Sequence, residues 1–127
     1  MYEISVDCTF AAGHALRNYK GKCENIHGHN YKVRVTLAGD KLNAAGLLMD
    51  FVELRADINR LVEKLDHQFL NQIAPFDQLN PSAENLAKYI CDGIEPQARN
   101  QGLQVHGVTV WETDTTSATY RPKNSDE

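Results

Sequence analysis

The chain has 127 residues and a formal charge of −4, enough length to bury a core in one domain and no basic surplus of the kind a dedicated nucleic-acid binder shows. A hydrophobic content of 42% and a charged content of 24% exclude wholesale disorder, and no apolar run approaches the roughly 20 residues a membrane helix needs. Three cysteines without framework spacing point to reduced thiols in a cytoplasmic protein, and the opening MYEISVDC reads as a strand, not as a signal peptide.

Residues 2–12 alternate: Tyr2, Ile4, Val6, Cys8, Phe10 and Ala12 share one parity, with Glu3, Ser5, Asp7 and Thr9 on the other, the pattern of a half-buried strand. A second strand is predicted over 29–37, where Tyr31, Val33, Val35 and Leu37 oppose Asn30, Lys32, Arg34 and Thr36. Turn residues make 39–48 a connection. The period then lengthens, and Phe51, Leu54, Ile58, Leu61, Leu65 and Phe69 form one helical stripe opened by an Asp50 N-cap with Glu53 at capping-box spacing. A second helix starts at Ser82 after Pro81, buries Leu86, Ala87, Ile90 and Ile94, and decays between Pro96 and Gly102. The last strands fall at 103–113 and 117–121. Leu103 and Val105 lie on the parity opposite to Val108, Val110 and Glu112, so a bulge is expected at His106-Gly107.

Strand, strand, helix, helix, strand, strand makes an α+β domain over 1–121, with a flexible tail at 122–127. Two antiparallel hairpin pairs joined as a four-stranded sheet, with both helices on one face, satisfy the pattern. Such a sheet has two open edges, which closure into a barrel with other copies would remove.

CENIHGHNY, residues 23–31, concentrates metal-capable side chains. His27 and His29 are two apart in a strand and so share a face. His14 extends the even parity of the first strand, so pairing of the two strands would bring it to them. Three neutral imidazoles with an open fourth position are a catalytic-type zinc arrangement, although imidazole suits other divalent metals as well. His106 sits in the expected bulge and is read as a surface residue. On spacing alone, Asp66-His67 is a helix C-terminal cation with a solvated neighbour. Cys8 and Cys91 fall at apolar positions. Cys23 stands in a loop with Lys20 and Lys22, whose charges favour the thiolate, and the pattern leaves it either a ligand or a base. Glu112 occupies an inward position where an apolar residue is expected; a carboxylate there lies at an exposed strand end or holds the paired N–H groups of a flat heterocycle.

FAAGHAL at 10–16, CENIHGH at 23–29, LDHQFLN at 65–71, NPSAENLA at 80–87 and WETDTTSATY at 111–120 occur in one chain and in this order. In these motifs, over residues 2–121, the sequence resembles the 6-pyruvoyltetrahydropterin synthase family. The three-residue gap between Cys23 and His27 resembles its bacterial branch, the 6-carboxy-5,6,7,8-tetrahydropterin synthases of queuosine (7-deazaguanine) biosynthesis. Ser82 stands where the family usually has Thr, and either hydroxyl caps a helix. Gly13 replaces a frequent Ala beside the histidine.

The resemblance implies the tunnelling fold, in which trimers close a barrel and two trimers stack as a homohexamer with active sites between subunits. It implies one Zn2+ per subunit on His14, His27 and His29, with Cys23 as general base, Asp66 and His67 as a proton relay, and Glu112 as the pterin anchor. The implied reaction converts 7,8-dihydroneopterin triphosphate to 6-carboxytetrahydropterin, acetaldehyde and triphosphate. Arg17, Lys20 and Lys22 are candidate triphosphate contacts, against a plain role as solvated loop cations. Two rivals stay open: a 6-pyruvoyltetrahydropterin synthase on the same site, and a non-catalytic zinc-stabilised binding module with Cys23 as fourth ligand. A pterin-binding relative without the chemistry is disfavoured by the joint presence of Cys23, Asp66 and His67.

Overall fold

A computed structural model describes residues 1–19 and 24–123. In chain order they form β1 (Tyr2–His14), β2 (His27–Gly39), α1 (Phe51–Val62), β3 (Gln68–Phe69), a 3-10 turn at Leu70–Gln72, α2 (Ala83–Asn100), β4 (Gln104–Thr113) and β5 (Thr116–Tyr120). The sheet has five strands in the order β3-β1-β2-β4-β5. The expected hairpin pairs are present, β1 with β2 and β4 with β5, both antiparallel. The fifth strand, β3, corrects the four-stranded expectation: two residues pair parallel to Ala12 and Gly13 of β1 and are too few to carry a period.

Alternation along β1 and β2 is the alternation of burial. Val6, Cys8, Phe10, Tyr31, Val33 and Val35 enter the core that Leu54 and Ile58 of α1 and Leu86, Ile90 and Ile94 of α2 close from the helical side. His106 has no partner on β2, because Thr36 faces Gly107 while Leu37 faces Val105. This is the expected bulge. It returns Val105 to the same buried face as Val108 and Val110 despite their opposite parity.

Both helix starts carry the expected caps. Asp50 accepts from Val52 N at 2.8 Å and Ser82 from Asn85 N at 3.1 Å. The ends differ. α1 stops at Val62, so the apolar stripe overran its C-terminal end and places Phe69 in β3, while Phe51 lies in the first turn but is 54% exposed. Leu65 is fully buried, but from a turn: Leu65 N and Asp66 N both donate to Val62 O, and His67 N donates to Ala11 O on β1. The sheet edge captures the chain before another helical turn can form. α2 continues through Pro96, whose exposed position leaves the unpaired carbonyl one turn back to solvent. It ends in a Schellman arrangement, with Gly102 at φ +72°, Leu103 N donating to Ala98 O and Gly102 N to Arg99 O.

Candidate active site

The β1–β2 register places His14 opposite His27 and Ala12 opposite His29, so three imidazoles meet on the helix-facing side at one end of the sheet. Their ring centroids are 4.6, 4.9 and 5.0 Å apart, and one nitrogen from each lies within 4.8 Å of the others. His14 is almost fully buried, at 1% exposure.

Hydrogen bonds decide which nitrogens face the centre. Nδ1 of His14 lies 2.7 Å from Pro81 O, and Nδ1 of His27 lies 3.0 Å from Asn25 O. A carbonyl only accepts, so each Nδ1 carries the proton and each Nε2 presents a lone pair. The two Nε2 atoms are 3.1 Å apart, close enough to share one metal ion or, when one ring is protonated there, a hydrogen bond. Tetrahedral zinc at about 2.0–2.1 Å from each imidazole nitrogen would space them by roughly 3.3 Å. Nε2 of His29 is buried without a hydrogen-bond partner. Burial also holds its imidazole below the ordinary pKa, with His14 and His27 adding to that effect and Glu112 and Glu24 opposing it. The three histidines therefore fit a divalent metal on donor type and spacing, and His14 and His27 on tautomer as well. The Tyr31 hydroxyl is buried without a partner beside them, with its ring edge-on to His14 and His29, and burial raises its pKa.

Asp66 and His67 grip β1 three residues before His14. Asp66 Oδ1 accepts from Ala11 N at 2.9 Å, and its Oδ2 lies 3.0 Å from His67 Nδ1. The Ala11 N–H, and after it the His67 partnership, hold the Asp66 carboxyl below its usual value. His67 has φ +59°, and its 81% exposed side chain borders a cleft of about 410 Å³ shared with Gly13, Gly28 and His29. Glu112 is the unpaired residue of a second irregularity between Trp111 and Thr113. One of its oxygens comes within 4.0 Å of His14 Nε2, and it opens on a separate pocket of about 160 Å³ with Glu84 and Ser117. Within one chain, then, His67 and Glu112 border separate clefts, and the trio lies between them: His29 lines the cleft of His67, and His14 approaches Glu112.

A scan of protein families matches residues 3–123 to the model described as 6-pyruvoyl tetrahydropterin synthase. The chain belongs to the 6-pyruvoyl tetrahydropterin synthase family. Among its relatives is the 6-carboxy-5,6,7,8-tetrahydropterin synthase of Synechocystis sp., 37% identical over 94% of this chain and 93% of that protein. The 6-pyruvoyl tetrahydrobiopterin synthase of Homo sapiens is 33% identical over 94% and 90%. The fold matches the solved structure of Caenorhabditis elegans 6-pyruvoyl tetrahydropterin synthase with a TM-score of 0.84 and 26% identity, covering 96% of each chain. Membership makes this a pterin-synthesis lyase family with a tunnelling-type subunit, and no helix among the described residues is long and apolar enough to cross a membrane.

For a member of this family, several remaining features matter. Cys23, Lys20 and Lys22 lie outside the described residues, as do residues 124–127 of the expected tail. Arg17, the third triphosphate candidate, donates from Nη1 to Leu79 O and from Nη2 to Asn71 O and Phe76 O, at 3.1, 3.2 and 2.8 Å. Three of its five N–H donors are engaged inside the chain. Sequence reasoning missed the Pro81 carbonyl that accepts from His14, and the Asn71 and Asn80 amides paired with the backbone of Ala15 and Arg17 just beyond it. Both asparagines stand in the motifs LDHQFLN and NPSAENLA, but only contact across the fold reveals what they bind.

Proposed function

We propose that the protein is a cytoplasmic zinc-dependent lyase that converts 7,8-dihydroneopterin triphosphate to 6-carboxy-5,6,7,8-tetrahydropterin, acetaldehyde and triphosphate, in queuosine biosynthesis. The observation that carries the reading is the trio His14, His27 and His29, with one nitrogen of each gathered within 4.8 Å and the Nε2 lone pairs of His14 and His27 free, in a chain of this family. The similarity to carboxypterin synthases, at 27–37% identity with two at 36–37%, favours this product, as does the short gap from Cys23 to His27. The relatives named as 6-pyruvoyl tetrahydrobiopterin synthases, at 33–34%, keep the pyruvoyl product as the second reading.

A zinc ion held by the three imidazoles would supply Lewis-acid polarisation of a substrate hydroxyl. Glu112 would accept two parallel hydrogen bonds from the pyrimidine-like edge of the pterin and so lay the side chain toward the histidines, a positioning contribution to rate. The Cys23 thiolate would take the proton from the side-chain carbon next to the ring. Asp66, kept ionised by the Ala11 N–H, would hold His67 through Nδ1 and stabilise its protonated form, leaving Nε2 to return a proton. Lys20 and Lys22, with the charge of Arg17, would meet the triphosphate.

One chain leaves Asp66–His67 and Glu112 on separate clefts. It also ends the sheet in β5 on one side and, on the other, in β1 covered only by the two residues of β3. Side-by-side joining of these edges in a homohexamer, built as a dimer of trimers, would cover them and allow neighbouring subunits to complete each site. Mass identification of the products from dihydroneopterin triphosphate tests the proposal. Acetaldehyde with carboxytetrahydropterin is expected, a pyruvoyl product without acetaldehyde replaces it with the second reading, and an unconsumed substrate overturns both.

A further inference from the structure

Directly after His14 the chain leaves the sheet, and each of the next three residues has its backbone paired by a side chain or backbone group from elsewhere. Asn71 accepts from Ala15 N at 3.0 Å and donates to Ala15 O at 2.7 Å. Glu24 accepts from Leu16 N through its carboxylate at 3.0 Å and donates its own N–H to Leu16 O at 2.9 Å. Asn80 accepts from Arg17 N at 2.8 Å and donates to Arg17 O at 2.9 Å. A primary amide used in this way reproduces the donor and acceptor of a neighbouring strand.

Asn80 differs from Asn71 in what it is joined to. The next residue is Pro81, whose carbonyl accepts from His14 Nδ1 at 2.7 Å. The carbonyl of Asn80 accepts from Asn85 Nδ2 at 2.9 Å, and Asn85 lies in the first turn of α2 under the Ser82 cap. One residue thus ties the backbone three positions beyond a histidine of the trio to the carbonyl that sets that histidine's ring. Imidazole tautomers differ little in energy, so without a fixed acceptor for the Nδ1 proton the ring also populates the form with Nε2 protonated, which cannot ligate through Nε2.

We infer that Asn80 is a positioning residue for His14: by bridging the Arg17 backbone and the Pro81 segment it keeps the Pro81 carbonyl on Nδ1 and leaves Nε2 unprotonated toward His27 and His29. The inference rests on the metal-site reading of the trio. Its structural half, the tautomer, is measurable without metal.

Asn80→Asp keeps the size and the acceptor for Arg17 N–H but sets a carboxylate oxygen against Arg17 O where a donor stood. In metal-free, 15N-labelled full-length protein, two-bond proton–nitrogen correlations should show His14 as a single Nδ1–H tautomer. Asn80→Asp should lose that single form, and its zinc affinity by chelator competition should fall about tenfold or more. Asn71→Asp, the same exchange on the Ala15 clamp without the link to Pro81, should lower the melting temperature while keeping the tautomer. Asn85→Ala frees the Asn80 carbonyl more gently and should move the tautomer in the same direction, which serves if Asn80→Asp does not fold. A wild-type tautomer and wild-type zinc affinity in Asn80→Asp, or in Asn85→Ala where that variant stands in for it, overturn the inference; so does an equal shift in Asn71→Asp, which would mean general loosening of the loop. Absence of zinc binding by the wild type overturns the metal reading instead, and the tautomer then decides the Asn80 role separately.

Discussion

Replacing His29 by alanine should act in opposite directions on the metal-free and the metal-loaded protein. Nε2 of His29 is buried without a partner, a situation that costs about 1–3 kcal/mol in the metal-free fold. Its removal relieves that cost and offsets much of the lost packing of a half-buried ring, so metal-free stability should change by no more than about 1 kcal/mol in either direction. For 127 residues the unfolding entropy is about 0.27 kcal/mol/K, so that change is within about 4 °C of melting temperature. Zinc at 100 times its dissociation constant should stabilise the wild type by about 2.7 kcal/mol, a rise of about 10 °C. With one of three ligands gone, His29→Ala should show less than a third of that rise at the same zinc concentration. Scanning calorimetry of chelator-stripped protein, repeated across a zinc titration, reads both numbers. A full rise in the variant would refute the ligand assignment. A metal-free melting temperature lower by more than about 10 °C would show that the ring supports the fold and would refute the reasoning from its unpartnered nitrogen.

Cys23→Ala should retain one zinc per chain by elemental analysis while turnover falls by at least a hundredfold, as expected for loss of a general base; zinc loss matching His29→Ala would make Cys23 a ligand. Glu112→Gln should weaken binding of a pterin to the zinc-loaded protein by about tenfold or more in fluorescence titration with metal content unchanged, because an amide can accept only one of two parallel N–H bonds. Asp66 has a folded pKa below its unfolded one, so its contribution to stability is present above the unfolded value near 4 and is lost as pH falls through the folded value. The urea midpoint of Asp66→Asn should accordingly fall less steeply than wild type as the pH drops below about 4, and parallel curves would count against the Ala11 and His67 contacts. Removing the charge of Lys20 and Lys22 together should raise KM for the triphosphate substrate by more at 50 mM than at 300 mM salt, since screening weakens such contacts; a salt-independent KM would discard them.

The trio His14, His27 and His29 is legible in the sequence because a strand has a period of two. Parity put each imidazole on the apolar face of its own strand, and antiparallel pairing of consecutive strands left one register in which all three meet. The same rule located the bulge at His106, where the apolar parity changes over. Helical periodicity served less well at the end of α1. Leu65 satisfies the spacing of the stripe and is buried as that spacing requires, yet it reaches the core from a turn whose N–H groups are taken by Val62 O and Ala11 O. Apolar spacing reports which side chains are buried, and it cannot tell a helix from a turn that buries the same residue.

The amino-acid sequence by itself determined the α+β order, the inward faces, the caps at Asp50 and Ser82, the three histidines and the motifs that carry the family. These follow from local conformational preference and short periods, which act between residues near one another in the chain. Only the tertiary structure decided that β3 exists, that His67 and Glu112 border different clefts of one subunit, and that the Arg17 guanidinium serves three carbonyls. It also decided the tautomer of His14, because the acceptor of its Nδ1 proton lies 67 residues away at Pro81. A hydrogen bond between distant segments leaves no period in the sequence; it exists once packing has brought the partners within about 3 Å.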